Sequence, residues 1–150
     1  MIEIVICDLD GTIADCSHRQ HHVQGEGKKN WRAFFREMDK DVLNVKLNRV
    51  LEALWYDNME IWFVSARPDD YREVTEEWLR KAGWIVGDNC KLLMRKAGDY
   101  RADTIVKKEI LDQIRSEDVD VVIAFDDRTS VVEMWRENDI LCAQVAQHDF

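Results

Sequence analysis

The stretch Ile2-Glu3-Ile4-Val5-Ile6-Cys7-Asp8-Leu9-Asp10-Gly11-Thr12-Ile13 decides the fold. Up to Cys7 its residues are β-branched or small and apolar apart from Glu3, which is the composition of a β-strand. The strand runs into two carboxylates separated by one residue, and alternation aims both at a single crevice. Gly11 then permits a sharp turn and a close approach of backbone to an anion.

Outward from this stretch, short β-branched runs alternate with helical patterns, the signature of an α/β protein in which helices wrap a parallel sheet. Strands are expected at residues 2–7, 61–64, 91–94, 119–125 and 140–145. Between them, apolar residues recur at helical spacing: Leu47, Val50, Leu51 and Leu54; Tyr71, Val74 and Trp78; Val131, Val132 and Trp135. Each set reads as the buried stripe of a helix. Asp69 and Asp70 are placed to cap the second of these helices and Gly83 to end it. In open α/β sheets the ligand crevice lies outside the carboxyl ends of the strands, which singles out Asp8, Asp10, Ser65, Arg67, Asp126 and Asp127. Residues 15–41 interrupt the alternation with a polar, His-rich segment, followed by Trp31, Phe34, Phe35 and Met38 at helical spacing. This segment reads as a small cap or lid inserted after the first strand.

The 150 residues suit one domain that buries its own core without disulfides or structural metals. No apolar run is long enough to cross a bilayer and no secretory signal is visible at the N-terminus, so the expected location is the cytoplasm, with no membrane partner. Cys7, Cys16, Cys90 and Cys142 are widely spaced and read as small apolar residues in a reducing compartment. A net charge of −9 argues against coating nucleic acid by bulk electrostatics, so any such contact should be local. Arg19, Lys28, Lys29, Arg32 and Arg67 are the candidates for a local basic strip. Nothing in the sequence points to a stable partner protein.

The acids have a chemical logic. One carboxylate of Asp8 and Asp10 can attack phosphorus while the other moves a proton, but the like charges must be neutralised before an anionic ester approaches. A divalent cation follows from this. Mg2+ takes one or two carboxylates and keeps several waters, a demand that Asp8 with the pair Asp126-Asp127 can meet. Ser65 can donate to a phosphoryl oxygen, Arg67 can grip phosphate with a bidentate fork, and Lys107 can place a point charge on Asp8 and the transferring group. The bland alternatives are that Asp126-Asp127 caps a helix and that Lys107, beside Lys108 and Glu109, sits on a solvated helix face. His18, His21 and His22 lack a carboxylate or cysteine at a recognisable ligand spacing, and a polar lid is preferred over a metal site.

In order along the whole chain, Asp8-x-Asp10-Gly11-Thr12, Ser65 after an apolar strand, Lys107 and the pair Asp126-Asp127 resemble the four motifs of the haloacid dehalogenase (HAD) superfamily of phosphatases. The resemblance implies a three-layer, Rossmann-like parallel sheet with a small cap insertion after the first strand. Three further segments look like the 3′-phosphatase half of bacteriophage polynucleotide kinase. They are Gly98-Asp99-Tyr100-Arg101-Ala102-Asp103, continuing through Val106-Lys107-Lys108-Glu109-Ile110; Phe125 through Arg136; and the ending Gln144-Val145-Ala146-Gln147-His148-Asp149-Phe150. This likeness implies that Asp8 is nucleophile and metal ligand, and that Asp10 is general acid and base and lends its carbonyl to the metal. It also implies that Lys107 and Ser65 hold phosphate, that Asp126 and Asp127 complete the Mg2+ site, and that Thr12, Arg19, Arg67 and Asp103 serve substrate binding.

The function so implied is removal of a terminal phosphate from a nucleic-acid end or a nucleotide. A nucleotidase or other small-molecule phosphatase is the alternative within the class. A phospho-acceptor signalling domain is the alternative outside it, but there the acid pair precedes the phosphorylated aspartate, whereas here it follows. No G-x-x-x-x-G-K-[ST] loop occurs in these residues, and no 5′-kinase activity is expected of them.

Overall fold

The chain runs β1 (Ile2–Cys7), β2 (Ala14–Asp15), α1 (Trp31–Arg36), β3 (Val42–Leu43), α2 (Val45–Tyr56), β4 (Glu60–Pro68), α3 (Arg72–Lys81), β5 (Cys90–Arg95), α4 (Asp103–Arg115), β6 (Val119–Arg128), α5 (Thr129–Glu137) and β7 (Cys142–His148). This is a computed structural model that describes residues 1–148; Asp149 and Phe150, which close the C-terminal likeness, lie outside the described residues. β1 sits at the centre of a five-stranded sheet of order β5-β4-β1-β6-β7, every pair of which is parallel.

Strand alternation divides the core in two. Ile4 and Ile6 point to one face, where Val106, Ile110 and Ile114 of α4 and Val131, Val132 and Trp135 of α5 cover them. Val5 and Cys7 point to the other face, under Leu47 and Leu51 of α2 and Trp78 and Leu79 of α3. With both faces covered, the strands carry few polar side chains until they reach their carboxyl ends. The three layers are those expected, with three adjustments. β4 and β6 continue beyond the apolar runs, so Ser65, Arg67, Asp126 and Asp127 lie in the strands themselves. The last strand starts later than residue 140, at Cys142. Val50 is 44% exposed, because the buried stripe of α2 passes through Leu47 and Leu51 and turns Val50 outward.

Asp69 does not cap α3. It lies in a 3-10 turn (Asp69–Tyr71), and its carboxylate accepts from the Ala97 N–H at 2.9 Å, tying the end of β4 to the loop after β5. Gly83 closes α3 as expected, with φ +97°. Residues 15–41 form a 3-10 turn (Ser17–His22), α1 and a second 3-10 turn (Met38–Lys40) around the buried Cys16, Val23 and Phe34. Ala14 and Asp15 pair antiparallel with Leu43 and Val42, which closes the segment at its base. No helix among the described residues is long and apolar enough to cross a membrane.

All four cysteines are free and buried. Burial pushes the Cys16, Cys90 and Cys142 thiols up to about 12 and raises Cys7 as well. Each is therefore a neutral thiol at pH 8, and a disulfide exchange reagent should titrate almost no thiol in the native protein and all four after denaturation in guanidinium. Fast labelling in buffer would show a core that opens locally.

Candidate active site

The carboxyl ends of β1, β4 and β6 bring their polar residues to one cleft of about 830 Å3, lined by Asp8, Asp10, Arg67, Lys107, Asp126 and Asp127 among others. Two separate electrostatic clusters form within it.

In the first cluster, Lys107 is buried on α4, and its Nζ donates to Asp8 Oδ1 at 2.8 Å and Asp126 Oδ2 at 2.9 Å. It is not a solvated helix residue; its neighbours Lys108 and Glu109 are, paired with Asp112 and Arg101. Thr12 Oγ1 lies 2.9 Å from Asp8 Oδ2 and 3.1 Å from Asp127 Oδ1, so its single proton serves two carboxylates. Thr12 is buried between these acids, and its hydroxyl is engaged by them. Trp135 Nε1 donates to Asp126 Oδ2 at 3.1 Å, and His148 Nδ1 lies 2.8 Å from Asp127 Oδ2. Asp126 does not cap α5, whose first turn has no side-chain cap; its Oδ1 accepts the Asp127 N–H at 2.9 Å instead.

One oxygen from each of Asp8, Asp126 and Asp127 lies within 4.8 Å of the others, the sole such group among the described residues. Burial raises the Asp8 carboxyl well above the usual range, and Asp126 beside it adds to the rise. Burial likewise lifts Asp127 to about 6. Three buried carboxylates against one ammonium leave negative charge uncompensated, and hard oxygen donors at this spacing fit a small divalent cation. The histidines 18, 21 and 22 form no such group among the described residues: His18 Nε2 lies 2.8 Å from Asp41 Oδ1, and the His21 and His22 rings lie tilted against each other at 41°.

The second cluster holds Asp10. Arg67 donates to Asp10 from Nε and, at 2.7 Å, from Nη2, and Arg19 is paired with the same carboxylate. Burial would raise the Asp10 carboxyl, but the two guanidiniums outweigh it and hold it well below the usual range. Behind both arginines stands Asp41, whose fully buried side chain accepts from Arg19 Nε at 2.7 Å and Nη2 at 2.6 Å and from Arg67 Nη2 at 3.3 Å. Thr75 takes the remaining Arg67 Nη1 at 3.1 Å. Asp41 and Thr75 carry no motif; two arginines gathered on the single charge of Asp10 are the signal that calls for a further carboxylate. Arg19 and Arg67 are thus internal, while Lys28, Lys29 and Arg32 are exposed, so the five do not form one basic strip.

Ser65 is buried in β4, and its Oγ accepts the Arg67 N–H at 3.1 Å. Asp103, at the start of α4, accepts from Arg95 at 2.6 Å and Arg128 at 2.5 Å. Asp103 thereby orients two arginines that line the cleft with it, a place from which it supports the site through them. Gly11 has φ +81°, and a Cβ there would stand 2.2 Å from Asp127 Oδ2 and 2.8 Å from His148 Nδ1. Gly11→Ala should therefore cost about 2 kcal/mol or more in stability and displace Asp127, read as a lower Tm together with weaker activity. A fully active, equally stable variant would mean the turn has room.

A parallel sheet with a carboxylate beside lysine at its central strand end, a second acid two residues on and an acid pair on the neighbouring strand defines a HAD-type phosphatase, a phosphoric monoester hydrolase. Within that class the chain belongs to the family described as the polynucleotide kinase PNKP phosphatase domain, whose model matches residues 2–150. A protein of Autographa californica nuclear polyhedrosis virus, named as a bifunctional polynucleotide kinase/RNA ligase, is 28% identical over 138 residues, covering 89% of this chain and 18% of that protein. The solved Pnkp1/Rnl/Hen1 complex contains a chain with 36% identity and a TM-score of 0.82, which matches all of this chain and 47% of its own length. A second structure, of the Pnkp1/Rnl/Hen1 RNA repair complex, gives 34% identity and 0.80 over all of this chain and 44% of the other. A class C acid phosphatase from Bacillus anthracis, solved with tungstate, shares the fold at 19% identity and 0.61, over 84% of this chain and 52% of that one. The chain thus spans 18% of the viral relative and just under half of the chains it matches in the two Pnkp1/Rnl/Hen1 structures.

Proposed function

We propose that the chain is a polynucleotide 3′-phosphatase that works with Mg2+ through a phosphoaspartate on Asp8. The observation that carries this reading is the separation of two acids that are neighbours in sequence: Asp8 faces Lys107 and the acid cluster, while Asp10 faces Arg19 and Arg67. One carboxylate is balanced for attack at phosphorus, and the other is held apart for proton transfer. Asp8, Asp126 and Asp127 would hold a divalent cation, joined by the Asp10 carbonyl as the resemblance implies, and it would supply the positive charge that lets an anionic ester approach.

In the first step an Asp8 oxygen bonds to phosphorus as the bond to the leaving oxygen breaks, and Asp10 supplies that oxygen with its proton. In the second, Asp10 takes a proton from the water that attacks phosphorus, and inorganic phosphate departs as Asp8 is regenerated. Paired with two guanidiniums, Asp10 is ionised, the state the second step needs. For the first step the ester oxygens must draw Arg67 from it, so that the carboxyl carries a proton as the leaving group departs. Lys107 and Ser65 meet the phosphoryl oxygens. Residues 15–41 act as a lid within the same single domain, since α1 forms one wall of the cleft. The complexes that hold its relatives favour an RNA end and an association with repair proteins. The four free thiols suit a cytoplasmic setting.

The test is phosphate release from 3′- and 5′-phosphorylated oligonucleotides of RNA and DNA, with Mg2+ and with a chelator. Release confined to the 3′ end and lost with chelation supports the proposal. Equal release from both ends, or from neither while small esters are cleaved, replaces it with a small-molecule phosphatase.

A further inference from the structure

Helix α1 contributes Trp31, Phe34 and Phe35 to the wall of the cleft that holds Asp8 and Lys107. Phe34 is the anchor. It is buried, the Arg19 guanidinium lies 4.1 Å from its ring centroid, and Arg19 Nη1 donates to its carbonyl at 3.2 Å. Because that arginine is also paired with Asp10, the ring cluster and the proton-transfer acid are braced by one side chain. Trp31 and Phe35, one helical turn apart, stack at 26° with centroids 5.9 Å apart, and Phe35 continues to Tyr71 at 5.2 Å.

Trp31 nevertheless stays 39% exposed. A core role buries an indole, as it does for Trp62 and Trp135. A phosphate gains little from a wall of aromatic rings, whereas the flat face of a base gains a stacking surface. Lys29 Nζ stands 5.5 Å from the Trp31 ring centroid, which sets a cation beside that surface. With a net charge of −9 the protein cannot hold a polyanion by its overall field, so binding falls to contacts within the cleft, where arginines such as Arg95 and Arg128 can meet phosphates and the ring wall can meet a base.

We infer that Trp31, backed by Phe35, is the stacking platform for the base of the nucleotide whose phosphate is removed. The inference rests on the polynucleotide reading proposed above. Stacking uses the π face common to every base, so the platform selects for the presence of a base and little for its identity.

The experiment compares kcat/KM for a 3′-phosphorylated oligonucleotide with that for the same oligonucleotide carrying an abasic terminal nucleotide. Wild type should prefer the base-bearing end by about ten-fold or more. The preference should collapse toward unity in Trp31→Ala and in Trp31→Leu and persist in Trp31→Phe. Leucine keeps apolar bulk over Phe34, so a collapse there reports the lost π face and not a loosened lid. An unchanged preference in the alanine or leucine variant, or a wild type indifferent to the base, overturns the platform and leaves the phosphatase reading standing. Release from small esters but from neither oligonucleotide overturns both together.

Discussion

Asp8→Asn is expected to reduce turnover by on the order of 10⁴-fold or more, because it removes the atom that bonds to phosphorus and leaves no second nucleophile in its place. The fold should survive the change. An amide at this position can still accept from Lys107 through its carbonyl oxygen, while Thr12 directs its proton to Asp127. The variant should even gain stability. Burial and Asp126 both disfavour the Asp8 charge, so a neutral isostere relieves a repulsion that the metal-free protein otherwise carries. Thermal unfolding in the presence of a chelator should thus give a Tm at or above that of wild type, beside the loss of both the dephosphorylated product and inorganic phosphate. Activity within ten-fold of wild type would mean that water attacks the ester directly and that Asp8 serves only the cluster.

The legible parts of the protein are those where local pattern and long-range structure agree. β1 was readable to the residue because an apolar run ends in acids, and the sheet needs both properties there. The ends of β4 and β6 were not, since an apolar run marks where a strand is covered by helices, while hydrogen bonding continues through polar residues to Pro68 and Arg128. The pairing of β2 with β3 escaped because two-residue strands carry no period. Among site residues, Asp8, Asp10, Lys107 and the pair Asp126-Asp127 stand in motifs, and the structure gathers them at one cleft. Thr12 and Asp103 sit in the same motifs, yet their partners decide their use: Thr12 is taken by two carboxylates and Asp103 by two arginines. Trp135 reads as core and is core, but its indole N–H also orients Asp126, a bond invisible to hydrophobic spacing. His148 reaches Asp127 from the last strand only because β7 pairs with β6.

Asp41 shows the same limit most sharply, and Asp41→Ala should have the largest effect on stability of any single change in the second cluster. The side chain is fully buried and accepts from Arg19 through two nitrogens, from Arg67 and from the His18 ring. Its removal leaves two buried guanidiniums sharing the one charge of Asp10. Breaking a buried charge network by deleting one partner costs about 3–5 kcal/mol, or roughly 10 °C in Tm for a domain of this size. The effect should also reach catalysis. With Asp41 gone, Asp10 is the one carboxylate left to Arg19 and Arg67, so they bind it more tightly and yield less readily to the ester; kcat should fall by about 10- to 100-fold. Asp41→Asn keeps the shape but cannot accept from every donor, and should fall between the two. Differential scanning calorimetry and phosphate release on the same preparations give both readings. Loss of stability with full activity would show that Asp41 merely seats the lid, whereas loss of both ties the arginine pair, and through it Asp10, to a residue that no motif marks.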